Sequence, residues 1–190
     1  MRVLLLRQEP SSRARVHARA LAAERPEIEL ALARQGAPGG EGLALDWQLG
    51  DRAARGLREA IAEFAPDVIQ SYGPSAVLTV CAHELTAGRV PVIHDLSGKR
   101  RFQGDAGLER RAVEESAALV ADSQVLLDQL AAHYTLPPLA MILPSYPPAR
   151  ELPAVDRNMS AEANIDRLAT LYQGLVREPM AGLAAELRGR

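Results

Sequence analysis

Cysteine and aromatic residues are scarce in this sequence, and each scarcity excludes a class of function. The single cysteine, Cys81, cannot form an internal disulfide and cannot supply a thiolate cluster to a metal. It lies at a core position of a predicted helix, where we expect a small buried apolar residue. Aromatic residues make up 4% of the chain, which leaves few of the stacking surfaces that bases or extended glycan chains need.

The chain also lacks an excess of charge of either sign, and it has no long apolar run. Its 22 lysines and arginines and its 24 aspartates and glutamates give a net charge of −2, which provides no electrostatic basis for binding nucleic acid or an anionic membrane. The apolar run within residues 1–7 is too short for a secretion signal, and no stretch approaches bilayer-spanning length. The sequence therefore predicts a cytoplasmic protein with no transmembrane segment and no nucleic-acid partner.

Apolar, strand-like segments alternate with amphipathic, helix-like segments along most of the chain, and 47% of the residues are hydrophobic, enough for one core. The predicted strands are 2–7, 28–33, 43–49, 66–72, 90–94, 118–122 and 139–143. The predicted helices are 12–24, 51–64, 74–87, 108–117, 124–134, 164–176 and 180–187. This alternation predicts an α/β fold with a single doubly wound, Rossmann-like parallel sheet flanked by helices, with a C-terminal helix packed back on it.

Several residues mark where the helices begin, end and face. Ser11 or Ser12 can cap the first helix and Ser123 a later one, because a serine hydroxyl accepts a hydrogen bond from an unpaired amide of the first turn. Gly88 is the expected stop of the helix that precedes it. On the first helix, the spacing predicts that Val16, Ala20 and Leu21 face the core.

The stretch 90–101 is the centre of the functional prediction. Apolar and β-favouring residues run without alternation into His94 and Asp95, and a small, basic loop follows. A parallel strand that is buried on both faces has this pattern. Because ligands of open α/β sheets bind outside the carboxyl ends of the strands, we expect a site at this edge.

Four segments carry a resemblance to a known family. They are APDVIQSYG at 65–73, VPVIHDL at 90–96, LERRAVEESA at 108–117 and VADS at 120–123, and a fifth, ILPSY, follows at 142–146. Together they resemble the N-terminal domain of family 4 glycosyltransferases of the GT-B fold, whose corresponding strands carry PDVIH, PVVxxHD and IPNG. The resemblance covers roughly residues 1–146.

A second resemblance concerns the end of the chain. The segment 159–172 is similar to the C-terminal helix of the same family, which crosses back to pack on the N-terminal domain. The resemblance thus implies a Rossmann-like domain at 1–146, a proline-containing linker at 147–158, and C-terminal helices at 159–190 that pack on the same domain. The linker is far too short to contain the donor-binding domain that the family places there.

Two further features depart from the family pattern. The missing domain supplies two glutamates eight residues apart; Glu178 and Glu186 have that spacing but lie in the closing helices, where we expect solvated charges. The glycine pair after the first strand is replaced by Ser11 and Ser12, which weakens phosphate binding by backbone amides. The sequence has no P-loop, nucleophile elbow, dinucleotide fingerprint or metal-ligand spacing, so we predict no cofactor and no metal.

The resemblance implies that His94 and Asp95 face the sugar-transfer cleft, and these are the predicted catalytic residues. An imidazole can hydrogen-bond a sugar hydroxyl, and a carboxylate can do the same or orient the ring. The alternative is that Asp95 caps the following loop and His94 is an interior histidine with a satisfied hydrogen bond. His17, His83 and His133 lie on predicted helices, where we expect surface or packing roles.

Six further residues are predicted to bind substrate at the same edge. Lys99 and Arg101 belong to the one dense basic cluster, which can pair with an anionic acceptor or the donor phosphates; alternatively, this cluster is a solvated loop balanced by acidic neighbours. The aromatic ring and the glycine that end strand 66–72 are expected to line an acceptor pocket. The complete set is Arg13, Tyr72, Gly73, Ser97, Lys99 and Arg101.

These observations support three hypotheses. The first is the acceptor-side half of a retaining GT-B glycosyltransferase, which needs a separate donor-domain partner chain to transfer sugar from a nucleotide sugar to a sugar acceptor. The open edge can also be covered by a second copy in a homodimer. A second hypothesis gives the chain complete glycosyltransfer activity by itself. The third is a non-catalytic, flavodoxin-like interaction module.

Overall fold

The computed structural model of the protein describes residues 1–7, 12–35, 43–45, 51–73, 76–96, 106–143 and 154–177. Its strands are β1 (Arg2–Arg7), β2 (Glu29–Gln35), β3 (Leu43–Leu45), β4 (Val68–Tyr72), β5 (Val92–Leu96), β6 (Ala118–Ala121) and β7 (Ala140–Ile142). Its helices are α1 (Ser12–Glu24), α2 (Asp51–Phe64), α3 (Ala76–Thr86), α4 (Ala106–Glu114), α5 (Gln124–Ala131) and α6 (Ala154–Arg177).

The strands form one sheet in the order β3-β2-β1-β4-β5-β6-β7, and every neighbouring pair is parallel. The predicted fold class is therefore confirmed. The chain moves outward from β1 to β3 and then returns to the other side of β1 at β4. The carboxyl ends of β1 and β4 thus flank the topological switch point, where open α/β sheets bind their ligands.

The two faces of the sheet are covered by different numbers of helices. Leu4 and Leu6 of β1 pack with residues of α2 and α3, and Leu119 of β6 packs with α4 and α5. On the opposite face, Val3 and Leu5 pack with α1 and α6. Right-handed crossovers explain this division: among the connections that carry a described helix, only the one from β1 to β2 runs toward the β3 edge of the sheet, and this direction places α1 on the second face. The rest of that face is covered by α6.

Helix α6 packs on the sheet through the predicted stripe. Ile165, Leu168, Ala169, Tyr172 and Leu175 are buried in one cluster with the sheet, whereas Val176, which was predicted to share the stripe, is 46% exposed. An ion pair between Arg25 and Asp166 joins this helix to the end of α1.

This helix begins earlier than the sequence predicted. It starts at Ala154, inside the segment 147–158 that was predicted as linker. The linker was predicted from its prolines, the last of which is Pro153. Residues 154–158 contain no proline or glycine that would stop a helix. The predicted helix 180–187 lies outside the described residues.

Strand β5 is shifted by two residues from its prediction, at Val92–Leu96 instead of 90–94. Pro91 has no amide hydrogen for the sheet, although its carbonyl accepts a hydrogen bond from Ile69. The shift places His94 and Asp95 within the strand. Leu96, which was predicted to begin the loop, is its last residue.

The other boundaries differ by a few residues, and the helix-end signals at Ser123 and Gly88 hold, whereas the predicted cap of the first helix by Ser11 or Ser12 lies outside the described side chains. The predicted helix 108–117 ends at Glu114, because the Ala117 amide already donates to Val92 in the sheet. Ser123 caps α5 by accepting from the Leu126 amide, as predicted. After α3, Ala87 and Gly88 have positive φ angles of 50° and 68°, and the Gly88 amide donates to the His83 carbonyl, which confirms the predicted stop.

Two predicted core positions are more exposed than expected. Val16 is 40% exposed, because Ala14, His17 and Leu21 form the inward face of α1. Cys81 is only partly buried against the cluster formed by α2, α3 and the sheet.

Candidate functional site

The register of the sheet places three polar residues in one row at its carboxyl edge. Arg7 of β1 pairs with Tyr72 of β4, and Tyr72 pairs with Asp95 of β5. Side chains alternate between the faces of a strand, and this row faces α1 and α6, as Val3, Leu5 and Val68 do. Two of the predicted site residues, Tyr72 and Asp95, are thus neighbours.

Asp95 is held by a buried ion pair and a buried hydrogen bond. Its Oδ1 atom lies 3.2 Å from Arg13 Nε, at the start of α1, and its Oδ2 atom accepts a hydrogen bond of 2.8 Å from Gln70 Nε2. Asp95 is fully buried and Arg13 is 6% exposed. Burial raises the pKa of Asp95 to about 6, while Arg13 and the Gln70 hydrogen bond act in the opposite direction.

The same face carries a longer chain of buried polar groups. The Tyr172 hydroxyl of α6 donates to the Gln70 side-chain oxygen. The Tyr72 hydroxyl, on the same face, lies 3.0 Å from His17 Nδ1. Burial raises the pKa of both tyrosines well above the usual value, so both hydroxyls keep their protons.

His17 is an interior histidine of this chain and not a surface residue. Burial and, to a lesser extent, the nearby Arg13 guanidinium lower its pKa to about 3. The imidazole is therefore neutral at physiological pH, with one donor and one acceptor nitrogen.

His94 and Asp95 point to opposite faces of the sheet, because they are consecutive residues of one strand. His94 lies on the side of α3, where its Nδ1 atom is 2.7 Å from Thr79 Oγ1. Burial lowers its pKa to about 3. Both side chains are fully buried, so the catalytic role of this pair stays a prediction, and the geometry around His94 is that of an interior histidine with a polar partner.

Among the predicted site residues that the structure describes, Gly73 is the one that remains accessible. It is half-buried directly after β4, its amide donates to the Asp95 carbonyl at 3.0 Å, and its φ angle is 106°. A Cβ atom added there would meet nothing within 4 Å. The Tyr72 ring, in contrast, is buried in the core. The predicted residues Ser97, Lys99 and Arg101 lie outside the described residues.

Gln70 and His17 take part in this site, although neither was predicted to. The signal for Gln70 was a lone amide within the apolar strand 66–72, because a buried polar side chain needs a hydrogen-bond partner. The signal for His17 was its position one turn after Arg13. Tyr172 was predicted to pack on the sheet, but its hydrogen bond had no signal in the sequence.

Comparison with known proteins defines the class of fold. Neither protein-family models nor curated protein sequences give a match. In three dimensions, the chain has the Rossmann-like α/β fold found in GT-B glycosyltransferase-like enzymes.

Three solved structures represent these fold neighbours. A piece of sucrose-phosphate synthase from Thermosynechococcus elongatus, numbered 27–220 and 406–426, superimposes with a TM-score of 0.65 at 12% identity, over 92% of this chain and 99% of that piece. UDP-GlcNAc 2-epimerase from Neisseria meningitidis, solved with UDP-GlcNAc bound, gives 0.54 at 13% identity, over 75% of this chain and 46% of that one. The epimerase from Methanocaldococcus jannaschii gives 0.54 at 12% identity, over 75% and 45%. The chain thus spans about half the length of either epimerase chain.

None of the helices in the described ranges combines the length and apolar character that crossing a bilayer requires.

Proposed function

We propose that this protein is the acceptor-side half of a GT-B glycosyltransferase, which binds a sugar acceptor at the carboxyl edge of its sheet. The observation that carries this proposal is the switch point between β1 and β4, with Gly73 accessible beside it. A glycine with open space at its Cβ position lets a ligand approach the backbone closely.

The extent of the structural match supports a half-enzyme. The sucrose-phosphate synthase structure, a piece numbered 27–220 and 406–426, is covered almost completely, whereas the epimerase chains are covered by about half. The described residues form one sheet, and the stretch 144–153 between β7 and α6 is far too short for a second Rossmann-like unit.

Sugar transfer from a nucleotide sugar needs hydrogen-bond donors or cationic side chains that stabilise the charge of the departing diphosphate. In this proposal, a separate chain with a donor domain supplies them across the open edge, where Lys99 and Arg101 are the candidate cationic contacts. A homodimer is the second arrangement that covers this edge. Sedimentation of the purified protein distinguishes a self-associated form from a monomer.

Ligand-observed NMR on the purified chain tests the proposal. A panel of free sugars and sugar phosphates is titrated against the native protein and against a Lys99→Glu, Arg101→Glu variant. We expect binding of a sugar or sugar phosphate in the millimolar range, weakened at least about tenfold by the double reversal. The matched control is Arg58→Glu, Arg110→Glu, which reverses two exposed charges on α2 and α4 and should leave binding unchanged.

Two results would contradict the half-enzyme. Turnover of a nucleotide sugar by the purified chain alone would favour the complete-enzyme hypothesis. If no sugar or sugar phosphate binds at concentrations of tens of millimolar, the chain has no acceptor site.

The burial of His94 and Asp95 favours a second candidate, the non-catalytic interaction module, because fully buried side chains do not contact a ligand. Under this candidate, an Asp95→Asn variant that remains folded keeps every binding activity of the native protein.

A further inference from the structure

The direction of each hydrogen bond in the buried polar chain follows from its carboxylate end. An ionised carboxylate only accepts, so Gln70 donates to Asp95 through Nε2, and its Oε1 accepts from the Tyr172 hydroxyl. We call this set, which ends in the Asp95–Arg13 ion pair, the Tyr172 relay; its members are Tyr172, Gln70, Asp95 and Arg13.

The relay connects α6 to α1 through the sheet. Gln70 lies on β4, Asp95 on β5 and Arg13 on α1. Tyr172 is the one member that α6 contributes, and removing its hydroxyl takes this partner away from the Gln70 side-chain oxygen.

We propose that Tyr172 is a positioning residue, which fixes the Gln70 amide that holds Asp95 and so makes the placement of Arg13 at the carboxyl edge depend on the docking of α6. The proposal concerns the geometry of this edge and not the identity of its ligand, so it stands or falls independently of the proposed function. Its consequence is that a helix 102 residues distant from Gln70 in sequence adjusts the first turn of α1, beside the switch point.

The surroundings of Asp95 make the carboxyl group a sensitive reporter of this arrangement. The charged groups that act on it are Arg13 from α1, which favours the carboxylate, and Asp122 after β6, which disfavours it. The Gln70 donor also favours the carboxylate. Without the Tyr172 hydroxyl, the Gln70 side chain is less firmly held and donates to Asp95 for a smaller fraction of the time. The carboxylate then loses stabilisation, and the midpoint of the Asp95 titration rises.

The test is an NMR comparison of the native protein with Tyr172→Phe, which keeps the buried ring and removes only the hydroxyl. In Tyr172→Phe, we expect the Asp95 ¹³C titration midpoint to rise by roughly one pH unit. The Ile165 and Leu168 contacts to the sheet should persist.

The matched control is Tyr134→Phe. Tyr134 follows α5, away from the relay, and its replacement should leave the Asp95 midpoint unaltered. The proposal is overturned if Tyr172→Phe lowers the melting temperature but leaves the Asp95 midpoint where it is in the native protein.

Discussion

Tyr172 of the last described helix donates a hydrogen bond to Gln70 in the middle of the sheet, and both groups are buried. The bond connects the helix that covers the second face with the strand beside the switch point. We therefore expect the geometry of the candidate site to depend on the docking of α6. Four further predictions concern the packing and the buried groups of the same sheet.

Two substitutions on α6 should separate its buried face from its exposed one. Leu168→Ala removes a fully buried side chain and should lower the free energy of unfolding by about 2–5 kcal/mol. Val176→Ala changes a side chain that is 46% exposed and should have an effect of less than about 0.5 kcal/mol. Urea denaturation measures both, and equal effects would contradict the docking of α6.

Acidification should destabilise the protein through its buried histidines. His17 and His94 have pKa values of about 3 in the fold, below the ordinary 6.5, so the unfolded chain binds up to two more protons between these values. Asp95, with a pKa of about 6, binds one more proton in the folded state between about 3.8 and 6, which partly compensates. The net difference of one proton predicts a loss of about 1.4 kcal/mol per pH unit from pH 6 to 4.

The urea midpoint measured across this pH range checks the sign and slope. His94→Gln should flatten the pH dependence, whereas His133→Gln, at an exposed position, should leave it unaltered. A protein that becomes more stable between pH 6 and 4 would show that the buried histidines do not dominate.

The Arg13–Asp95 ion pair should behave as a coupled unit. Asp95→Asn or Arg13→Gln alone leaves a buried charge without this partner and should cost about 3–5 kcal/mol. The double variant should cost less than the sum of the two, because it removes both charges. Chemical denaturation of the three variants gives the coupling energy, and strict additivity would mean that the two side chains do not interact.

Gly73→Ala should destabilise the protein through the backbone alone. Its φ angle of 106° lies beyond the left-handed region that other residues adopt, while the space at the Cβ position is open. The expected cost is about 2 kcal/mol, compared with about 1 kcal/mol for Gly88→Ala at φ 68°. Melting curves should show a larger loss of stability for Gly73→Ala than for Gly88→Ala. The reverse order would mean that the backbone conformation at Gly73 does not determine the cost.

The fold could be predicted from the sequence because its signals are local. Unalternating apolar strands, a serine cap at Ser123 and the stop at Gly88 each act within a few residues of the element they define. The prediction is wrong in two places that contain prolines. Strand β5 begins after Pro91, later than its apolar run indicates, and α6 begins directly after Pro153, within the segment predicted as linker.

The polar arrangement could be predicted only in part, because it depends on which residues meet across the fold. His94 and Asp95 are predicted to share one catalytic site, but consecutive residues of a strand face opposite sides of the sheet. Arg13 and Asp95 are both predicted site residues, but their ion pair joins α1 to β5, and no local pattern in the sequence indicates it. The partners of Gln70 come from β5 and from α6, and no spacing in the sequence indicates them.

The uneven covering of the two faces also has a consequence during synthesis. The second face receives α1 early, but the apolar surface over β4 and β6 is covered only when residues 165–175 have left the ribosome. Until then, the nascent sheet exposes side chains such as Val68 and Val120 to water, because the contacts that bury them span most of the chain. The period of greatest aggregation risk therefore falls between the synthesis of β7 and that of α6, when all the described strands are made but this helix does not yet cover them.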